Sequence, residues 1–273
     1  MSAGSTESAA GPAGSPPALE VRGIDKWFGA VHANRTVSFA VARGTVHGLI
    51  GENGAGKSTL MNIVYGIHRA DAGEVWLHGR RADIRRSHDA IAAGVGMVHQ
   101  HFTLVDTFTV LENVVLGVEG GRLLAGGLAR ARAELEQVAR DYDLVVPLDA
   151  RVEHLPVGLQ QRVEILKALY RRAEILILDE PTAVLTPQET QQLFRMLAHL
   201  RRQGKTVVLV THKLREIMAV TDRVTVMRQG AVVHETATGA TSERALAERM
   251  VGRSVSLRVD KAPGRPGEIL LAV

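Results

Sequence analysis

The sequence predicts an α/β fold in which a largely parallel core sheet carries an antiparallel β subdomain beside it and an inserted helical subdomain. Three patterns lead there. Residues 175–178 and 206–210 are continuously apolar, as strands covered on both faces of a parallel sheet must be. Residues 19–24 and 35–41 alternate, as half-exposed antiparallel strands do. From about residue 102 to residue 171 the pattern is mostly helical.

In chain order, residues 1–17 are Gly, Ser, Ala and Pro without an aromatic, which predicts a disordered extension before a domain spanning 18–253. The two alternating strands come next. A further apolar run, residues 45–50, then ends at Gly51-Glu52-Asn53-Gly54-Ala55-Gly56-Lys57-Ser58, with Thr59 following. This is G-x-x-x-x-G-K-[ST] between a strand and a helix, the pattern of a phosphate-binding loop. Its glycines let successive backbone N–H groups turn around phosphate oxygens, and the following helix aims its positive end at the anion. Lys57 is placed to reach the outer phosphates and Ser58 to offer a hydroxyl to Mg²⁺, so the expected ligand is a nucleoside triphosphate such as ATP.

Residues 73–79 read as another strand after a turn, and residues 95–100 as a run that closes on Gln100. Helical patterns cover 109–116, 128–142 and 159–170, the helical insert being bounded at about 102–171. Residues 187–202 are helical too, with Pro187 in the first turn and Gly204 beyond the end.

Ligands of open α/β sheets gather at the carboxyl ends of the strands, so Asp179-Glu180 and Thr211-His212 are expected on the same edge as the phosphate loop. An apolar strand ending in Asp-Glu fits an ATPase: Asp179 would hold Mg²⁺ through its water shell and Glu180 would polarise the attacking water. A plain acidic pair at a strand end is the alternative for the dipeptide alone. Gln100, at the end of its own run, could touch Mg²⁺ or that water, and His212 could donate to the γ-phosphate. His99 and His101 stand two apart without a third ligand in sequence, so they are not expected to hold a metal.

Composition narrows the class. At 273 residues, with 45% hydrophobic and 23% charged, the chain has ample material for a globular core. No apolar stretch approaches the ~20 residues that span a bilayer, and the start lacks a basic, apolar leader. The expectation is a cytoplasmic protein. No cysteine is present, which excludes disulfides and thiolate metal sites. The net charge of +4 is dispersed in pairs such as Arg171-Arg172 and Arg201-Arg202 at helix ends, so nucleic acid is not an expected partner.

The order phosphate loop, Gln100, Leu155-Pro156-Val157-Gly158-Leu159-Gln160, Asp179-Glu180 and His212 resembles the ATP-binding cassette (ABC) family over nearly all of residues 19–252. The segments around Gln100, after Gln161 and after Asp179 are similar to the ATPases of nucleoside and simple-sugar importers. The resemblance implies a P-loop NTPase of the ABC ATPase type that powers import. It would clamp ATP between its own phosphate loop and the signature loop of a second cassette. Membrane permease subunits would be direct partners on the cytoplasmic face of the cell membrane, and a solute-binding protein an indirect one. Phe28 matches the aromatic that stacks on adenine, with Trp27 the adjacent alternative. Two other readings stay open: a soluble ABC ATPase acting on ribosome or DNA, for which no long charged linker or coiled-coil insertion stands here, and a truncated fragment that binds nucleotide only.

Two departures from the family pattern carry consequences. The signature loop commonly begins Leu-Ser-Gly-Gly-Gln, whereas Pro156 here removes both the serine hydroxyl and a backbone N–H. Gly158 and the following helix would still face the anion, at a weaker or silent site. The loop after the acidic pair ends in Thr186 where Asp is common. A complete hydrolytic half beside a degraded donor half suits an asymmetric pair. Residues 254–273 are expected to be a linker, and the final strand-like stretch, which echoes residues 16–21, is either the first strand of a second cassette or a short closing strand.

Overall fold

The computed structural model describes residues 15–100, 102–117 and 124–254. The expectations for the first residues and for the segment after Ser254 lie outside them. Ten strands and eight α-helices follow in order: β1 Leu19–Phe28, β2 Val31–Val41, β3 Val46–Ile50, α1 Lys57–Val64, β4 Ala72–Leu77, β5 Arg80–Ala82, α2 Ser87–Ala92, β6 Val95–Val98, α3 Val110–Val115, α4 Leu124–Asp141, α5 Val157–Tyr170, β7 Ile175–Asp179, α6 Pro187–Arg202, β8 Thr206–Thr211, α7 Leu214–Val220, β9 Arg223–Arg228, β10 Ala231–Ala237 and α8 Glu243–Val251.

The core sheet runs β10-β9-β3-β8-β7-β6. Its five strands from β9 to β6 are parallel, and β10 closes the edge antiparallel to β9. Every residue of β3, β6, β7 and β8 is buried, which is the physical reason for their largely apolar sequences. The register sets Ile50 beside Thr211 and Asp179 beside Val210, so the carboxyl ends of β3, β7 and β8 share one edge.

The antiparallel sheet, in order β2-β1-β4-β5, lies over one face of this sheet. Leu19, Val37 and Val41 from it share a core with Leu60 and Met61 of α1 and with Leu49, Ile177 and Val208 of the parallel sheet. The opposite face is covered by α3, α5, α6 and α8, through residues such as Val114, Leu166, Leu197 and Leu246.

Residues 187–202 form α6 with the bounds the pattern gives, started by a Thr186–Glu189 capping box and Pro187. Residues 109–116 form the shorter α3, capped by Thr109 with Glu112. The stretch before it is not helical, because fully buried Asn113 accepts from Val105 N at 2.7 Å and donates back to Val105 O at 3.0 Å. β5 and α2 are too short and too charged to be announced by a period.

His47 sits within β3, buried, its Nε2 2.8 Å from Thr225 Oγ1 and its Nδ1 without a partner. Burial, reinforced by Arg223, pushes its pKa from 6.5 down to about 3. The folded chain thus keeps His47 neutral where the unfolded chain already binds a proton. Its contribution to stability is complete above pH 6.5 and is lost as pH falls toward 3, at most on the order of 1 kcal/mol per pH unit. Urea unfolding at about pH 7.5 and about pH 5 should show a smaller loss for His47→Gln than for the native sequence; an equal loss would show that His47 does not drive the acid sensitivity.

Candidate functional site

The phosphate loop is shaped by close backbone passages. A Cβ on Gly51 would stand 2.4 Å from Met227 O, and one on Gly56 would stand 2.3 Å from Ala33 O. Gly56 also has φ 94°, which only glycine adopts without strain. A strand and a turn outside the loop hold it: Asn34 Nδ2 donates to Gly56 O at 3.0 Å, and Gly230 N donates to Ala55 O at 3.2 Å. Gly230 is in the β9–β10 turn, where Gln229 and Gly230 both have positive φ. Within the loop, Ala55 N donates to Glu52 O at 3.1 Å.

Lys57 opens α1 and is buried. Its ammonium donates to Gly51 O at 2.8 Å and to Glu52 O at 3.0 Å, carbonyls of the loop itself. Burial lowers its pKa, and the charges of Glu180 and Asp179 oppose that shift. The Ser58 hydroxyl hydrogen-bonds Asp179, whose pKa is raised by burial first and by neighbouring Glu180, against the pull of Ser58, Lys57 and His99. Among the described residues, Asp179 Oδ1 and Glu180 Oε2 are buried without a hydrogen-bond partner.

Glu180 departs from the strand at φ 49°, with its N–H still bonded to Val210 O at 2.8 Å. Its Oε1 meets His212 Nδ1 at 2.9 Å across the ends of β7 and β8. Lys57, Ser58, Asp179, Glu180 and His212, spread over the sequence, therefore converge at one sheet edge. Gln100 is exposed just past the end of β6, whose Val98 pairs with Leu178, so it stands at the same end of the sheet. His99 packs edge-on against Tyr65, with ring centroids 5.7 Å apart, and His101 is outside the described residues.

Trp27 and Phe28 end β1 with half-exposed rings. One face of Trp27 is covered by His32 at 3.6 Å, and His32 is held by Asp25 at 2.7 Å. Phe28 meets His68 in an edge-on contact at 5.2 Å.

The signature segment makes its contacts elsewhere. Pro156 is exposed at the N-cap of α5 and gives that end no side-chain cap. Val157 is exposed, and a Cβ on Gly158 would lie 2.5 Å from Glu189 Oε1. Glu189 accepts the backbone N–H of Gly158 as well as Thr186 N at 2.8 Å and Thr186 Oγ1 at 2.9 Å. The Gly158 amide expected to face an anion is thus bonded to a carboxylate of this chain. Gln160 Nε2 donates to Leu155 O at 3.0 Å, and buried Gln161 Nε2 donates to Pro181 O at 2.7 Å.

A groove of about 660 Å³ opens between α5 and α6, lined by Gly158, Leu159, Arg162, Glu189 and Met196 among others. Size does not mark it as the reactive centre; the coupled charges and orphaned carboxylate oxygens lie at the phosphate loop. Asn34 and Gly230 were not foreseen in the sequence, and Gln161 was read only as the end of the signature motif, because each acts by closing a contact with a distant segment.

Residues 34–183 match the family described as ABC transporter. The chain is 46% identical over 255 residues to the nucleoside import ATP-binding protein NupA of Lactococcus lactis subsp. cremoris, covering 93% of this chain and 50% of that protein. It is 43% identical to the ribose import ATP-binding protein RbsA of Chromobacterium violaceum, over 93% of this chain and 51% of that one. The chain thus spans about half the length of the curated relatives it matches. Among solved structures, a nucleotide-free ATP-binding cassette from an ABC transporter superposes with a TM-score of 0.72 at 26% identity, covering 81% of this chain and 92% of that one. A dimeric cassette in a post-hydrolysis state, bound to ADP and Pi, gives 0.67 at 26% identity, covering 81% of this chain and 98% of that one.

The packing of Gly56 yields a test. Gly56→Ala is expected to weaken binding of a fluorescent ATP analogue by at least about tenfold, or ~1.4 kcal/mol, without loss of helical circular dichroism. Native affinity in that variant would contradict the geometry of the loop.

Proposed function

Because the chain belongs to the ABC transporter family, we propose that it is the ATP-binding and ATP-hydrolysing cassette that powers an importer of nucleosides or simple sugars. The observation that carries the reading is the convergence of Lys57, Ser58, Asp179, Glu180 and His212, with a buried orphaned oxygen on each acid. The names of relatives, nucleoside and ribose importers, support the solute class.

In this reading the loop amides of residues 51–59 and the start of α1 bind the phosphates. Lys57 exchanges its two loop carbonyls for phosphate oxygens, a transfer from neutral to anionic acceptors that favours the bound state. Mg²⁺ would be held by Ser58, by Asp179 through water and by Gln100, and would supply neutralisation of phosphate charge. The orphaned Asp179 Oδ1 fits that role. Phe28 stacks on the adenine.

Glu180 has one oxygen on His212 and the other free of partners, so Oε2 is the atom that accepts a proton from the attacking water. As that water bonds to the γ-phosphorus, the bond from phosphorus to the bridging oxygen breaks and ADP carries the electron pair away. His212 meets Glu180 through Nδ1, which leaves Nε2 to contact a γ-phosphate oxygen.

The segment Leu155–Gln160 would complete the ATP site of a second cassette, in the same longer polypeptide or in a partner chain. Pro156 and the Glu189 bond at Gly158 leave it few free donors, which supports an asymmetric pair. Permease subunits at the cytoplasmic face of the membrane are the mechanical partners, served by a solute-binding protein. Among the described residues no helix is long and apolar enough to cross a membrane, which fits a peripheral subunit.

With the partner cassette present, Glu180→Gln should lower ATP turnover by about a hundredfold or more, the scale of a lost general base; turnover equal to the native chain would refute the assignment. The isolated chain should hydrolyse ATP poorly even when concentrated. Brisk turnover rising with its own concentration would show that the Pro156 signature is a competent donor.

A further inference from the structure

A second polar cluster lies behind the sheet edge, and none of the roles above uses it. Its centre is the carboxylate of Glu216, on α7, buried together with Thr182 and Thr211. Thr182 Oγ1 donates to Glu216 Oε1 at 2.5 Å, and Thr211 Oγ1 approaches Oε2 at 3.5 Å. Lys213 Nζ lies 3.4 Å from Oε1 and also donates to Thr182 O at 2.9 Å and to Thr182 Oγ1 at 3.0 Å. The Lys213 N–H closes the cluster on Thr211 Oγ1 at 3.0 Å.

The positions of these partners matter more than their number. Thr211 and Lys213 are the two neighbours of His212, and Thr182 is two residues past Glu180. One buried carboxylate therefore ties both flanks of His212 to the loop that follows Glu180, while His212 and Glu180 meet directly at 2.9 Å on the outer side. A buried acid facing hydroxyls and an ammonium resists replacement, because its donors would be left unpaired. An amide in its place removes the negative charge and one acceptor oxygen, and leaves Lys213 without its counter-charge.

We propose that Glu216 is a positioning residue that holds the His212 and Glu180 loops in one register, so that recognition of the γ-phosphate by His212 depends on it. The proposal rests on the ATPase reading given above. Among the described residues no hydrogen bond or ion pair joins Glu216 to the phosphate loop or to Glu180; it acts through Thr182, Thr211 and Lys213.

The test compares, by titration calorimetry on the full chain with Mg²⁺, binding of ADP and of the non-hydrolysable β,γ-imido analogue of ATP. The native chain should prefer the triphosphate analogue, and His212→Ala should abolish the preference. Glu216→Gln should keep ADP affinity within about twofold and reduce the preference by about fivefold or more, the net scale of one ordinary hydrogen bond. The double variant with His212→Ala should lose no more than His212→Ala alone. Losses that add, or an undiminished preference in Glu216→Gln, would overturn the proposal. If Glu216→Gln fails to fold, Thr182→Val decides, since it keeps the acid and Lys213 and removes the two bonds of the Thr182 hydroxyl: an intact preference there overturns the proposal. A native chain that binds nucleotide without preferring the triphosphate refutes this inference alone, whereas one that binds no nucleotide refutes the ATPase reading with it.

Discussion

The passage of Gly56 beneath the Ala33 carbonyl is the constraint on which the rest of the site depends. The chain leaves β3, turns through the loop and enters α1 with φ 94° at Gly56, and no side chain fits in the gap. Asn34, in β2 of the antiparallel sheet, and Gly230, in the β9–β10 turn of the other sheet, fix the loop from two sides. Because α1 starts immediately afterwards, this crossing decides where Lys57 and Ser58 stand relative to Asp179 and Glu180. It also requires the antiparallel sheet to be in place, since Ala33 and Asn34 are in β2.

Around that loop the fold tolerates groups that folding alone would disfavour. An orphaned buried acceptor costs about 1–3 kcal/mol, and Asp179 and Glu180 each carry one. Glu180 adds a positive φ on a non-glycine residue, which costs on the order of 1 kcal/mol. Lys57 is buried with its ammonium turned onto its own loop. A ligand with phosphate charge and a bound cation would give the orphaned oxygens and the Lys57 ammonium their partners, and the buried parallel strands on either side supply the rigidity to hold them.

What was legible in the sequence was local. Gly51 to Ser58 carries its spacing within eight positions, the strand ending in Asp179 is marked by burial on both faces, and α6 by its cap and Pro187. Contacts that join remote segments were not: Asn34 meets Gly56 22 residues on, Gln161 meets Pro181 20 on, and Thr182 meets Glu216 34 on. An isolated Asn, Gln or Glu has no periodicity to reveal it. The approach of Gly158 to Glu189, on the helix after the acidic pair, was equally hidden, since Gly158 was read from its place in the motif alone.

The central claim is that Gly51 to Thr59, Asp179, Glu180 and His212 form one triphosphate site that Lys57 closes on itself until ligand arrives. A structure of the chain with Mg²⁺ and a non-hydrolysable ATP analogue tests it most directly. The account predicts the γ-phosphate between the loop and His212, with the Lys57 ammonium moved off Gly51 O and Glu52 O onto phosphate oxygens. Nucleotide bound in the α5–α6 groove, with Lys57 still on its loop carbonyls, would contradict it.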